Sequence, residues 1–146
     1  MTKTIITFGA SSNKNSINKK LANYTANEIS NANVKLLDLN DFEMPIFSVD
    51  RELESGIPAL AYEFKKQAKD VWMNKPMFLL ATSPRKHGGE SVLNIVVTKF
   101  RRMNTNTIVS FSLPSFRNNF SEKEGITDKT LLHTFNKQLA LFELTL

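Results

Sequence analysis

Two stretches of this chain hold residue types suited to binding an anion rather than to building a core. The first, Gly9-Ala-Ser-Ser-Asn-Lys-Asn-Ser-Ile-Asn18, is small or hydroxylated for most of its length, so main-chain amides can approach a ligand and side-chain oxygens can donate to it. Ser16 stands where a helix N-cap belongs, because Ile17, Leu21, Tyr24 or Thr25 and Ile29 recur at helical spacing after it. The opening turn of such a helix leaves amides unpaired and carries about half a positive charge, a physical basis for holding phosphate. The second stretch, Thr82-Ser-Pro-Arg-Lys-His-Gly-Gly89, again joins an apolar run to a helical pattern. Its Arg85 and Lys86 suit an anionic ligand and equally a solvated basic turn. His87 suits a ligand contact or plain exposure to solvent.

Charge around the first turn adds to this. No Asp or Glu precedes Glu28, whereas Lys3, Lys14, Lys19 and Lys20 do. Helix dipoles favour acids in the first turn by roughly 0.3 to 1 kcal/mol each. Lysines in their place suggest that a ligand brings the missing negative charge, although an ordinary capped helix in an Asn- and Lys-rich chain fits the same residues.

Other chemistries find little support. With no cysteine there is no thiolate nucleophile, disulfide framework or Cys-ligated metal. The acids Asp41, Glu43, Asp50, Glu52 and Glu54 lie in one connection without a nearby His or calcium-loop spacing, which reads as a solvated loop. Asp38 and Asp41 follow a strand as ribose-binding acids do, but no G-x-G-x-x-G precedes them. His133 falls among polar positions of the last helical pattern, and Trp72 precedes a strand, where packing or a subunit contact accounts for it. No Ser/His/Asp or paired-carboxylate arrangement stands out, so no catalytic acid or base is assigned.

The elements that must position the two loops follow from periodicity. Ile5, Ile6 and Phe8 form an apolar run typical of a strand buried on both faces, closed by Gly9. Val34, Leu36, Leu37 and Leu39 predict a second strand, and residues 40 to 57 a long irregular connection. Pro58 opens a helix with Leu60, Ala61, Phe64 and Ala68 on one face. Met77 to Ala81 predicts a third strand, and Val92, Leu93, Val96, Val97 and Phe100 the helix after it. A fourth strand over about 107 to 112 and an irregular segment, Leu113 to Phe120, lead to a final helix. Thr127 or Asp128 caps that helix, and Leu131, Leu132, Phe135, Leu139 and Phe142 form its apolar face.

Strand and helix thus alternate four times, the pattern of an α/β fold with a parallel sheet covered on both faces. Right-handed crossovers and double winding give the strand order 2-1-3-4, with the winding reversing between the first and third strands. Ligands bind such sheets at that reversal, beyond the carboxyl ends of the strands. The two polar loops flank it.

At 146 residues, 41% hydrophobic and 23% charged, the chain is expected to form one domain over 1–146 that buries roughly 68 to 70% of its unfolded surface. Ile5 to Ala10 is too short for a signal peptide or a membrane span, so a soluble cytoplasmic protein is expected. The net charge of +5 raises nucleic-acid binding, but the basic residues are scattered and not interleaved with aromatics.

These residues resemble the NADPH-dependent FMN reductases, a family of flavodoxin-like fold that includes quinone, azo-dye and chromate reductases. The matching pieces are Phe8-Gly-Ala-Ser-Ser-Asn-Lys-Asn-Ser-Ile-Asn18, Leu36-Leu-Asp-Leu-Asn-Asp-Phe-Glu-Met-Pro45, and Lys75-Pro-Met-Phe-Leu-Leu-Ala-Thr-Ser-Pro84 with Gly88-Gly89. Phe111-Ser-Leu-Pro-Ser-Phe116 is similar to one branch of the family. The resemblance implies a three-layer flavodoxin-like sheet, FMN as cofactor and NADPH as donor. It also implies hydride transfer through FMN to flavin, quinone or similar acceptors, and a homodimer. By it, Ser11, Ser16, Ile17 and Asn18 hold the FMN phosphate, while Ser83, Pro84, Arg85, His87, Gly88 and Gly89 border the isoalloxazine ring. Asn13 stands where the family often has arginine, with Lys14 as a partial substitute.

After Asp70 the chain lacks the strand, flavin-stacking loop and helix of the family pattern, a segment of a few dozen residues. Lys69-Asp70 runs straight into Val71-Trp-Met-Asn-Lys-Pro76. Loss of that unit exposes apolar surface and favours self-association. It also leaves open a second reading: a shortened relative that keeps the scaffold without the redox activity and acts as an anion-binding or protein-interaction module.

Overall fold

β-branched and aromatic side chains favour extended backbone, and Thr4–Phe8 forms strand β1 until Gly9 ends the run. Helix α1 follows at Ile17–Glu28, capped by Ser16, and leads into β2 at Asn33–Leu37. In the computed structural model, which describes residues 3–67 and 74–146, β1 and β2 are parallel, with Ile5 opposite Val34 and Phe8 opposite Leu37. Two short helices come next, α2 (Val49–Ser55) and α3 (Ala59–Gln67). Strand β3 (Met77–Thr82), helix α4 (Glu90–Met103) and strand β4 (Ile108–Leu113) then repeat the first unit, again in parallel, with Met77 opposite Ile108 and Thr82 opposite Leu113. A single turn, α5 (Phe116–Asn119), a small antiparallel hairpin of β5 (Phe120–Ser121) and β6 (Gly125–Ile126), and helix α6 (Lys129–Glu143) complete the chain.

The β3–β4 pair carries the core. Alternation along β4 buries Val109, Phe111 and Leu113 on one face. There Phe111 and Leu113 meet Leu21 of α1 and Phe135 and Leu139 of α6. Phe135 is fully buried, and the rings of Phe111, Tyr24 and Phe78 surround it with centroids 5.3, 5.4 and 6.0 Å away. Helix α4 covers the opposite face through Leu93 and Val97. Helices on both faces of parallel strands give the α/β layering read from the sequence.

Several expectations change in detail. Leu39 does not extend β2, because the Asp38 carboxylate accepts the main-chain N–H of Asn40 at 3.0 Å and turns the chain into a 3-10 segment, Leu39–Phe42. The connection over 40 to 57 is not wholly irregular: Ser48 caps α2 by accepting the Arg51 amide, and Gly56, at φ +73°, ends it. Helix α3 follows Pro58 as expected, yet buries none of its residues, and Phe64 meets the ring of Phe42, 5.2 Å away. Ala68, Lys69, Asp70, Val71 and Trp72, on which expectations also rested, lie outside the described residues.

The sheet itself is in two pieces. Among the described residues no ladder joins β1 to β3, although α1 packs against both. Ile5, Ile6 and Phe8 are half-buried rather than enclosed on both faces, and among the described residues β1 is laddered to β2 alone. On the neighbouring strand Leu36 stays largely exposed.

Candidate functional site

The carboxyl ends of β1 and β3 and the amino ends of α1 and α4 frame the candidate site. Gly9 lets α1 start close to β1: a Cβ at this position would stand 2.7 Å from Cα of Lys19, too close for any side chain. From there the loop folds on its own oxygens. Ser11 N–H donates to the Gly9 carbonyl, Asn13 N–H to Ser11 Oγ, Asn15 N–H to Asn13 Oδ1 and Ser16 N–H to the Asn13 carbonyl, at 2.7 to 3.2 Å. Buried Ser16 Oγ accepts Lys19 N–H at 3.3 Å and caps the helix. The amides of Ser12, Lys14, Ile17 and Asn18 find no acceptor among the described residues. They are the ordinary surplus of a helix start.

One hydrogen bond ties the two loops together. Asn18 Oδ1 accepts the main-chain N–H of Thr82 at 2.9 Å, where β3 gives way to the second loop. Thr82 is itself fixed, its hydroxyl donating to the Leu113 carbonyl at 2.7 Å. The second loop is braced from β4 and the turn after it. Ser115 N–H donates to the Arg85 carbonyl, Phe116 N–H to the Ser83 carbonyl, and Ser112 Oγ to the Gly88 carbonyl, at 2.9 to 3.1 Å. Gly88 lies at φ +59°, with room for no Cβ beside Ser112 Oγ, and Gly89, at φ +80°, precedes α4. Neither duty stands out in the sequence, where Asn18 reads as a phosphate donor and Ser112 as an ordinary polar residue of a strand.

Most of the sequence-derived site residues meet at this end of the molecule. Ser11, Asn13, Ser16, Ile17 and Asn18 form the first turn, and Ser83, Pro84, Arg85, His87, Gly88 and Gly89 the second. Their duties are partly internal: the oxygens of Ser11 and Asn13 shape the loop, and the Ile17 side chain packs on the core while its amide stays open. Arg85, Lys86 and His87 are exposed. His133 is exposed on α6, as its polar surroundings implied.

The electrostatic expectation for Lys19 and Lys20 is corrected. Lys19 Nζ pairs with the Asp38 carboxylate and Lys20 Nζ with that of Glu122, so protein acids already answer both charges. The Lys19 hydrogen bond, helped by those from Asn40, holds the Asp38 carboxyl down at about 2. Asp38 is thereby engaged with the protein, and Asp41 is exposed. Sequence distance hid these pairs, since 19 and 102 residues separate the partners. The acids sit on the lysine side chains and leave the open amides of the turn uncovered.

Residues 4–71 match the family model described as NADPH-dependent FMN reductase. That stretch, 68 of the chain's 146 residues, is similar to this family. The match begins with β1, takes in the whole first turn and reaches past α3, so it covers the phosphate-loop half of the site. No curated protein matches the chain. The family's cofactor is FMN and its electron donor NADPH. No helix among the described residues is long and apolar enough to cross a membrane, and no group of acids and histidines there could hold a metal ion.

The donor set of the first turn suits the phosphate of FMN. Open amides at a helix start, the Ser11 and Ser16 hydroxyls and the Asn18 side-chain nitrogen are all donors, and the glycine lets backbone come close.

Proposed function

We propose that this chain is a single flavodoxin-like domain over 1–146 that binds FMN and uses NADPH or NADH to reduce flavin, quinone or similar acceptors. Its setting is the cytoplasm and its working form a homodimer. Strands in the order 2-1-3-4 would put the β1 and β3 ends side by side at the winding reversal, and the packing of α1 on both strands supports that order. The observation that carries the reading is the Asn18 to Thr82 hydrogen bond, which joins the phosphate-type turn to the glycine loop at one end of the strands.

In this proposal Ser11, Ser16, Ile17 and Asn18 hold the FMN phosphate through amides and hydroxyls, and Asn13 orders the turn. Ser83, Pro84, Arg85, His87, Gly88 and Gly89 form the wall beside the ring. Held there, FMN would supply the hydride and electron transfer between nicotinamide and acceptor. The chain's part is to bind, to orient and to supply a field: Arg85 and Lys86 offer exposed positive charge for the dinucleotide's phosphates. No protein acid or base is assigned.

One observation favours the second reading, a scaffold without redox activity. The sheet is interrupted between β1 and β3, beside the place where the family's stacking loop would stand. An FMN titration followed by quenching of flavin fluorescence decides between them. Saturable binding, with NADPH oxidation by the loaded protein, supports the reductase. Absence of quenching at high micromolar protein refutes it.

A further inference from the structure

The surface of α2 and the segment around it is more apolar than a free surface should be. Ile46 and Leu53 are 86% and 81% exposed, with Phe47 and Val49 beside them, and no residue of α2 is buried. Val49 and Leu53 lie one turn apart on a single stripe, flanked by Asp50 and Glu52. A helix of seven residues in water, without a packed face, is marginal by its own propensity. It calls for a surface to lie on.

Helix α4 offers one of matching size and opposite charge. Leu93 and Val97 already satisfy the sheet, yet Val92, Ile95 and Met103 lie exposed on the solvent side, with Lys99 between Ile95 and Met103 and Ile95 at 69% exposure. Lys99 and Arg102 line the shallow groove beside Ile95 and Met103. The segment from Asp41 to Glu54 carries five acids against Arg51, whose guanidinium is turned back on the Ile46 carbonyl at 3.0 Å. From Lys99 to Arg102 there are three bases and no acid.

We propose that α2 of one copy docks on the outer face of α4 of a second copy, its acid-rimmed apolar stripe against the exposed apolar residues of α4 and the Lys99 and Arg102 set among them. Under two-fold symmetry the contact is made twice. Charge complementarity selects a second copy of this chain as the occupant, because each face carries what the other lacks. The proposal deepens the homodimer part of the reading above by naming its surface, and it requires neither FMN nor NADPH. At 1.5 Å per residue α2 is about 10 Å long, so the dimer is weak, with a dissociation constant on the order of micromolar.

The test is sedimentation velocity of the full chain without flavin, between about 1 and 300 μM, at low and high salt. The expected result is a monomer–dimer equilibrium weakened by salt. Lys99→Glu with Arg102→Glu, or Glu52→Lys with Glu54→Lys, should each weaken it by about tenfold or more. Mixing the two variants should restore dimers, since every contact in the mixed pair is again between opposite charges. A monomeric wild type over this range, or reversed variants that dimerise as the wild type does, overturns the proposal. FMN titration of the same samples separates the two readings: loss of the dimer with flavin binding intact speaks only to the interface. Absence of flavin binding in a dimer that behaves as expected speaks only to the cofactor.

Discussion

Asn18→Asp separates the structural duty of this side chain from its proposed duty toward phosphate. An aspartate at 18 keeps an oxygen where Thr82 N–H needs an acceptor, so the link between the loops survives. It also places a negative charge in the first turn of α1, which now holds no acid, and the helix dipole favours that by about 0.3 to 1 kcal/mol. The apoprotein should therefore unfold in urea at the same or a slightly higher concentration than the wild type. A phosphate held by the neighbouring amides feels the opposite. Two unit charges about 5 Å apart, at an effective permittivity of about 20, repel by about 3 kcal/mol, and the dissociation constant for FMN should rise by roughly two orders of magnitude. Asn18→Ala is the contrast: it leaves Thr82 N–H without its acceptor and costs roughly 1 to 3 kcal/mol of stability. Urea denaturation and fluorescence titration on the same preparations provide both readouts. Unchanged FMN affinity in a stably folded Asn18→Asp protein would refute the placement of phosphate at this turn.

Three further outcomes follow from the structure. Phe135→Ala empties the centre of the aromatic cluster and should lower stability by about 3 to 5 kcal/mol, seen as a lower urea midpoint with unchanged slope. Gly88→Ala would set a Cβ 2.4 Å from Ser112 Oγ at positive φ; it should displace the second loop and cost about 1 to 3 kcal/mol, read by thermal melting with the FMN titration alongside. The Asp38 carboxyl, held at about 2 by Lys19, contributes stability that is present above its unfolded value near 4 and lost as pH falls through about 2. Acid titration of unfolding should therefore show a limb between those values, and Asp38→Asn should flatten it.

Legibility in the sequence varied with how local the deciding interactions are. The first turn and its cap were readable, since Ser16 and Lys19 N–H are three residues apart and the small residues before them are contiguous. The apolar face of α6 was equally plain, because Phe135, Leu139 and Phe142 repeat at the helical period and all three are buried. What escaped was set by partners distant in sequence. The lysines of α1 looked unanswered until folding brought Asp38 and Glu122 to them, and Asn18 looked like a phosphate donor alone until Thr82 arrived at its oxygen. Apolar runs also promised more burial than they received. Ile5, Ile6 and Phe8 carry the composition of an enclosed strand, but enclosure depends on neighbours that composition does not supply. Short α2 hid for a related reason: its Ser48 cap and Gly56 stop are clear in retrospect, yet none of its residues is buried, so no packed face made the helix necessary.

Helix α1 is bonded through the first loop to β1, and it leans with Leu21 on the aromatic interior of the other strand pair. It is a hinge pin driven through two leaves that share no seam. Whatever loosens its grip on the second leaf moves the anion-binding turn away from the glycine loop. The integrity of the site therefore rests on the packing of twelve residues, while hydrogen bonds from Lys3 to the Thr145 carbonyl and from Ser30 to the Glu143 carboxylate also join the two leaves.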